Sequence, residues 1–375
     1  MKFCIISDLH CTDKKGENSL FYSDIPDKPI NQNPVSSILA KIEAEEFLHS
    51  DIVLCLGDLG DKAYRQGIKT AWEAVDRIKS KMKAKVLIGI PGNHDVDSRN
   101  RYHQDPFKYV VNFNTNFPTS ESKLNDSFWN KGFCIYKSDG LEILMINSVI
   151  NHKNEESAKV SEISLETLEN IEADLEIELE INRICILHHH PIKHSNIENW
   201  KDSDSLDKGD KLIDLLNKYN YDIIIHGHKH QPRIVEYSGL TVFATGSFSS
   251  FDNLQASGYK TMFHVLEILE KGRGKVFSWE FNLQNGWKSE LNPLFPATIG
   301  FGEQIDLKNL ADRINTYFLN CNESVLLYSQ IETEFPEISY LIPDKLVKLK
   351  EFLNRNYELF LEPDFPLIPS LITRK

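Results

Sequence analysis

The chain has 375 residues and a formal net charge of −13, with 26% of its residues charged. This length accommodates one large α/β domain with an appendage, or two domains. The acidic balance argues against a broad basic surface for nucleic-acid backbones, although a local basic patch remains compatible with it. No apolar run is long enough to span a bilayer, and the N-terminal MKFCIISDLH lacks a secretory-signal pattern. We therefore expect a cytoplasmic protein without a membrane partner.

The first part of the sequence alternates short apolar segments with amphipathic ones. Residues 2–7, 51–57 and 85–92 are apolar, end in Ser, Gly or Pro-Gly, and predict buried strands. Between them, residues 35–48 and 63–82 carry apolar side chains at helical spacing. This order of strand and helix predicts a parallel sheet with covering helices.

The middle of the chain predicts a second group of strands. Antiparallel strands are predicted over residues 127–148, and a helix is predicted to follow Ser164 as N-cap. Apolar strands at 182–191 and 221–232 each run directly into histidines. Further strands are predicted at 233–246, 261–269 and 275–282. The fold class is α/β, with two sheets packed face to face as a β-sandwich and helices outside.

The character of the sequence changes after the last of these strands. Residues 306–318 and 344–360 predict amphipathic helices, the first with Asp306 as N-cap. We predict a domain over residues 1–287 and a partly helical C-terminal extension over 288–375. This extension is a candidate docking element for a protein partner.

Polar side chains of metal-binding type stand at the ends of five predicted strands. They are Asp8 and His10, Asp58, Asn93 to Asp95, His188 to His190, and His228 and His230. Because the carboxyl ends of parallel strands meet at one crevice, these distant positions are expected to converge. Carboxylate, amide and imidazole ligands suit hard or borderline divalent cations. Two such cations polarise a phosphoester and lower the pKa of a bound water to about 7.

These motifs follow one another in a distinctive order: DLH at 8–10, GD at 57–58, GNHD at 92–95, HHHP at 188–191 and GHKH at 227–230. The pattern resembles that of the calcineurin-like metallophosphoesterase superfamily. The resemblance covers roughly residues 1–285 and fills every ligand position. It implies the superfamily's fold, a four-layer β-sandwich flanked by helices.

The resemblance also implies two divalent metal ions bridged by Asp58. Their other implied ligands are Asp8, His10 and His230 for one ion, and Asn93, His228 and either His188 or His189 for the other. Side chains alternate along a strand, so only one of His188 and His189 is expected to face the metals. The end of the apolar run favours His188, whereas the spacing to Pro191 favours His189. Mn²⁺ is the expected metal, with Fe, Zn or Mg as alternatives.

His94 is implied as the general acid for the leaving oxygen, or as a donor to a phosphate oxygen. Asp95 is implied to orient its imidazole. Asp61, which precedes a predicted helix, is interpreted as the N-cap of that helix. Arg99 and Arg101 follow the GNHD motif and are predicted to bind substrate phosphate oxygens.

These observations predict a dinuclear metal-dependent phosphoester hydrolase. A phosphodiesterase that uses a metal-bridging hydroxide on a nucleotide or nucleic-acid substrate is the leading hypothesis. One alternative is a nuclease of the same superfamily that works with a partner ATPase through its C-terminal extension. An alternative of another class is a non-catalytic scaffold, which the filled ligand positions argue against.

Overall fold

A computed structural model of the chain describes residues 1–13, 19–23, 29–193, 205–250, 261–289, 295–321, 323–364 and 367–374. The strands in these ranges are β1 (Lys2–Ile6), β2 (Ile52–Cys55), β3 (Val86–Gly89), β4 (Phe133–Ser138), β5 (Leu141–Ile146), β6 (Asn182–Leu187), β7 (Ile223–His226), β8 (Arg233–Tyr237), β9 (Leu240–Ala244), β10 (Met262–Glu270), β11 (Arg273–Asn282), β12 (Gly286–Lys288), β13 (Thr298–Phe301), β14 (Val325–Leu327), β15 (Leu359–Glu362) and β16 (Leu371–Arg374). The α-helices are α1 (Pro34–Ala44), α2 (Arg65–Lys81), α3 (Lys108–Asn112), α4 (Ser122–Lys131), α5 (Leu165–Asp174), α6 (Gly209–Lys218), α7 (Leu307–Cys321), α8 (Tyr328–Glu334) and α9 (Pro343–Tyr357).

Two large sheets carry most of the strands. The first has the spatial order β12–β11–β10–β1–β2–β3, with β13 also paired to β11. Its strands β1, β2 and β3 are parallel, so their carboxyl ends lie at one edge. The second sheet has the order β4–β5–β6–β7–β9–β8, in which β5, β6, β7 and β9 are parallel.

The sheets pack face to face because their strands are apolar on both sides. In β1, Phe3 and Ile5 face the core between the two sheets, whereas Cys4 and Ile6 face the helices. Helices α1 and α2 cover the outer face of the first sheet, and α5 and α6 cover the outer face of the second. This helix–sheet–sheet–helix order confirms the predicted four-layer sandwich.

The segment before β4 differs from its prediction. The antiparallel pair β4 and β5 is confirmed, but residues 127–131 lie in helix α4 rather than in a strand. Phe128 on this helix is fully buried between the sheets. Gly132 ends the helix with a φ of 82°, a conformation that glycine adopts readily.

The C-terminal extension has a core of its own. Helices α7, α8 and α9 pack around the small sheet β14–β16–β15. The Asp306 carboxylate accepts a hydrogen bond from Lys308 N (2.8 Å), which confirms the predicted cap. Strand β13 joins the first sheet, and Lys345 on α9 pairs with Glu236 on β8. The predicted domain boundary between residues 287 and 288 stays a prediction. No helix in the described ranges is both long and apolar enough to cross a membrane.

A buried histidine in the first sheet is expected to make stability depend on pH. His264 on β10 is fully buried, its Nδ1 lies 2.8 Å from Ser278 Oγ, and its Nε2 accepts from Gly246 N. Burial lowers the pKa of His264 from 6.5 to about 3. Below pH 6.5 this histidine therefore binds a proton in the unfolded chain but stays neutral in the folded chain, so the free energy of unfolding falls.

From pH about 7.5 to about 5.5, His264 is expected to remove on the order of 1 kcal/mol of stability. Urea unfolding of the wild type and His264→Gln at both pH values measures this contribution. The variant is expected to be less stable at neutral pH but to lose about 1 kcal/mol less over the interval. Equal losses in the two proteins would show that His264 does not cause the pH dependence.

Candidate metal centre

The strand-end residues converge at the edge where the two sheets meet. The first sheet contributes Asp8 and His10 after β1, Asp58 after β2 and Asn93 after β3, and the second contributes His188 after β6 and His228 and His230 after β7. Five of them adopt left-handed backbone conformations, with φ values between 43° and 77°: Asp8, His10, Asp58, His228 and His230. Such conformations cost on the order of 1 kcal/mol each in a non-glycine residue and cluster at functional sites.

One group of ligand atoms comes from Asp8, His10, Asp58 and His230, all within 4.8 Å of one another. His10 Nε2 lies 3.3 Å from Asp58 Oδ2 and 3.1 Å from His230 Nε2. His230 Nε2 in turn lies 3.4 Å from Asp8 Oδ1.

A second group surrounds Asn93. The Asn93 Oδ1 atom lies 3.1 Å from His188 Nε2 and 3.0 Å from His228 Nδ1. His188 Nε2 also lies 3.4 Å from Asp58 Oδ2. The Asp58 carboxylate is therefore shared by the two groups, which is the position that a bridging ligand requires.

The two neighbouring histidines take different positions. The His188 Nδ1–H donates to the Leu56 carbonyl oxygen at 2.7 Å, which directs Nε2 towards Asp58 and Asn93. His189 Nδ1 instead lies 2.9 Å from Ser148 Oγ, and its ring packs 4.6 Å from the His228 ring.

The His189 ring also has the edge of His152 beside it, 5.2 Å between ring centroids. Burial lowers the pKa of His152 to about 4, so this imidazole is neutral. An atom of His189 lies within 4.8 Å of ligand atoms of His188 and His228. Both His188 and His189 therefore border the site, and His188 occupies the position between Asp58 and Asn93.

These donors fit divalent cations. Two ligand atoms at adjacent octahedral positions, each about 2.1 Å from a cation, lie about 3.0 Å apart, close to the separations around Asn93 and His10. Burial opposes charge on His188, yet Asp58 raises the pKa of that imidazole to about 9. The pocket thus attracts positive charge, which a divalent cation would supply in place of a proton.

Small and backbone groups hold Asp8 in place. Its carboxylate accepts hydrogen bonds from Ser7 Oγ and from the backbone N–H of His228 (3.1 Å). Ser247 Oγ donates to the Asp8 carbonyl oxygen at 2.7 Å. Burial alone would raise the pKa of Asp8, but His230 outweighs it and lowers that pKa below its ordinary value. The sequence offered no signal for Ser247, which lies far along the chain.

The partner of His94 corrects two predictions. His94 Nδ1 lies 2.9 Å from Asp61 Oδ1, whereas the Asp95 carboxylate accepts from Gly60 N and Gly92 N. Asp95 therefore braces two backbone turns, and Asp61 orients the imidazole. Asp61 is also not the cap of α2, because that helix begins at Arg65 without a side-chain cap. The sequence carried no signal for this pairing, which depends on the conformation of the loop that holds Asp61.

The charges around His94 favour its protonated form. Burial lowers the pKa of His94, but Asp58 and Asp61 outweigh this effect and raise that pKa above its ordinary value. The backbone N–H of His94 also donates to Asp58 Oδ1 at 2.8 Å. An imidazole held in this position is a candidate proton donor.

Gly92 leaves the space that Asp58 needs. A Cβ at this position would overlap Asp58 Oδ1 and the Asp58 backbone nitrogen. We expect Gly92→Ala to displace the Asp58 carboxylate and weaken Mn²⁺ binding by about 10- to 100-fold, measured by titration calorimetry. Gly140→Ala is the control for metal affinity, because a Cβ there meets nothing within 4 Å. Its φ of 71° is expected to lower the stability of this variant without affecting the ligand groups. Wild-type affinity in Gly92→Ala would contradict the proposed placement of Asp58.

A cleft of about 610 Å³ opens beside this centre. Its walls include Asn93, His94, Lys62, Arg99, Arg101 and Lys159, and we call it the His94 cleft. Both predicted substrate-binding arginines, Arg99 and Arg101, are exposed and line it. The structure therefore places them beside His94, and their contact with substrate stays a prediction.

The chain is similar in fold to several solved structures. Purple acid phosphatase PPD1 from yellow lupin is 14% identical, with 76% of this chain and 52% of that one covered and a TM-score of 0.49. The present chain thus spans about half the length of that phosphatase. A dimetal phosphatase from Danio rerio is 13% identical over 75% of this chain and 99% of that one, with a TM-score of 0.48. Vps29 from Chaetomium thermophilum is 13% identical over 75% and 86%, with a TM-score of 0.32.

Two family models match the sequence. The model described as wHTH-Calcineurin_assc matches residues 299–355, and the calcineurin-like phosphoesterase model matches residues 1–232. No curated protein sequence matches the chain. Since the second of these models spans more than half of the residues and includes the ligand motifs, the chain belongs to the calcineurin-like phosphoesterase family.

Proposed function

We propose that the protein is a dinuclear metal-dependent phosphoester hydrolase that acts on phosphodiesters. The observation that carries this proposal is the position of Asp58. Its Oδ2 atom lies 3.3 Å from His10 Nε2 in one ligand group and 3.4 Å from His188 Nε2 in the other. A single buried carboxylate between two nitrogen- and oxygen-rich groups suits a pair of divalent cations.

We assign the ligands from the contacts of each group. Asp8, His10 and His230 would hold one ion, Asn93, His188 and His228 would hold the other, and Asp58 would bridge them. His189 would lie behind His228 and fix its ring. We propose Mn²⁺ as the native metal and the cytoplasm as the compartment.

The residues of this chain have distinct roles in hydrolysis. When bound, the cations polarise the phosphoester and lower the pKa of a bound water. The oxygen of water forms a new bond to phosphorus and its proton passes to solvent. The bond to the leaving oxygen breaks, and that oxygen takes up a proton. His94 donates this proton, and Asp61 holds the imidazole in position and stabilises its charged form.

The filled ligand set favours an enzyme over a non-catalytic scaffold. For the C-terminal extension, we propose docking of nucleic acid or of a protein partner, supported by the family match at residues 299–355. A partner ATPase belongs to the nuclease alternative and rests on the resemblance alone.

Hydrolysis of bis(p-nitrophenyl) phosphate by protein stripped with chelator and reloaded with Mn²⁺ tests the proposal. We expect Mn²⁺ to restore turnover, and the diester to be hydrolysed faster than p-nitrophenyl phosphate. Absence of both bound metal and Mn²⁺-stimulated turnover would end the enzyme hypothesis. Faster hydrolysis of the monoester would show that the protein is a phosphomonoesterase and not a phosphodiesterase.

A further inference from the structure

The His94 cleft concentrates positive charge on a protein that is acidic overall. Four of its lining residues are cationic: Lys62, Arg99, Arg101 and Lys159. Formal net charge for the whole chain is −13. This cluster of positive side chains beside His94 differs from the acidic average of the protein, and such a cluster attracts anions.

Two of these four cationic groups, Arg99 and Arg101, have no carboxylate partner among the described residues. Among the described residues, the Arg99 guanidinium has no ion pair or hydrogen bond. The Arg101 guanidinium donates to the Lys62 carbonyl oxygen at 3.2 Å, which fixes it at the cleft without neutralising it. Lys62 Nζ lies 3.6 Å from Asp61 Oδ2 and is half exposed.

Lys159, from a segment distant in sequence, also lines the cleft, and its Nζ pairs with the exposed Glu156 at 3.0 Å. Two acids line the same cleft. Asp97 is buried, and its oxygens accept from the backbone N–H groups of Arg101 and Tyr102. Glu155 is exposed and is the remaining acid among the lining residues. Among the residues that line the cleft, four cationic side chains therefore accompany two acidic ones. Since Asp61 and Glu156 pair with Lys62 and Lys159, Arg99 and Arg101 are the lining cations without a carboxylate partner in the described part of the chain.

The position of His94 relates this cleft to one side of the substrate. Its Nδ1 is held by Asp61, and the ring lines the cleft together with Asn93. If His94 donates the proton to the leaving oxygen, the leaving group lies in the cleft. The volume of about 610 Å³ lies within the range of small-molecule pockets and accommodates a nucleotide unit.

We propose that the His94 cleft binds a second phosphate on the leaving-group side of the scissile bond, so that the substrate is a nucleic-acid strand rather than a single cyclic nucleotide. This inference rests on the proposed function. Arg99 and Lys159, which both line the cleft, contact the second phosphate, because guanidinium and ammonium groups bind phosphate oxygens through charge-assisted hydrogen bonds. Residues from distant parts of the sequence thereby determine substrate class.

Three short substrates test this subsite with the Mn²⁺-loaded full chain: d(TpT), d(pTpT) and d(TpTp). The products of d(TpT) identify the leaving oxygen. If the 3′-oxygen leaves, d(pTpT) carries the extra phosphate on the leaving side, and if the 5′-oxygen leaves, d(TpTp) does. We expect kcat/KM for that substrate to exceed that for d(TpT) by about tenfold or more. The substrate with its phosphate on the other side controls for charge alone.

The double variant Arg99→Gln/Lys159→Gln is expected to bring this ratio close to one. A ratio measured within one protein does not depend on how much of the variant is folded. Arg77→Gln/Lys69→Gln removes the same charges from the exposed face of α2 and is expected to keep the wild-type ratio.

Three outcomes would overturn the inference. Equal rates on all three substrates would remove the subsite while leaving the phosphodiesterase intact. If the ratio of kcat/KM values falls equally in both double variants, the preference for the extra phosphate comes from the overall charge of the protein and not from the cleft. No cleavage of d(TpT) and none of bis(p-nitrophenyl) phosphate would remove the inference together with the proposed function.

Discussion

Replacing Asp58 with asparagine is expected to lower kcat/KM for a phosphodiester by about 1000-fold or more. The variant keeps the size of the side chain and one oxygen, which can still accept from the His94 backbone N–H. It removes the negative charge between the two ligand groups. Loss of several kcal/mol of interaction with the cations corresponds to about three orders of magnitude in rate. Stopped assays at saturating Mn²⁺ measure kcat/KM, and the metal content of each protein is measured in parallel.

The matched control for this variant is Asp76→Asn on the exposed face of α2. It makes the same chemical change away from the centre and is expected to keep wild-type turnover and metal content. Turnover within tenfold of wild type in Asp58→Asn would show that no bridging carboxylate is needed.

His94→Ala is expected to lower kcat by about 100- to 10,000-fold, the usual contribution of a general acid, while metal content stays that of the wild type. The loss should depend on the leaving group. A dinucleotide releases an alkoxide that needs a proton, whereas bis(p-nitrophenyl) phosphate releases a stable phenolate. We therefore expect the larger loss on the dinucleotide.

Asp61→Asn is expected to lower kcat on the dinucleotide by at least about tenfold, and to lower it less on bis(p-nitrophenyl) phosphate. The loss should be smaller than in His94→Ala, and it arises because a carboxylate that holds an imidazole also stabilises its charged form. Asp95→Asn alters the hydrogen bonds to two backbone turns instead, and is expected to change kcat by the same factor on both substrates. Equal losses on the two substrates in His94→Ala would leave His94 as a binding residue. Loss of metal from that variant would make it a ligand.

Much of the fold follows from patterns within the sequence. Segments such as IVLC at 52–55 are apolar at every position, which fits strands buried on both faces. Their alternation with amphipathic helices predicts the parallel order. The error at residues 127–131 has a local cause. The aromatic residues there favour a strand by composition. The structure instead has a helix that ends at Gly132 and buries Phe128.

The predicted ligand residues converge, because strand ends place them at one edge whatever the details of each loop. The partner of His94 was out of reach, since a carboxylate's contact depends on loop conformation. Asp61 immediately precedes a turn in which Lys62 and Ala63 both have positive φ, a geometry that residue type does not predict. The same holds for the two neighbouring histidines: the Leu56 carbonyl oxygen orients His188, and Ser148 Oγ contacts His189.

Metal stoichiometry combined with electron paramagnetic resonance tests the central claim most directly. Chelator-stripped protein titrated with Mn²⁺ is expected to bind two ions per chain and to show the exchange-coupled signal of two bridged ions. In Asp58→Asn that coupling should disappear. A single uncoupled ion per chain in the wild type, or none, would contradict a dinuclear centre bridged by Asp58.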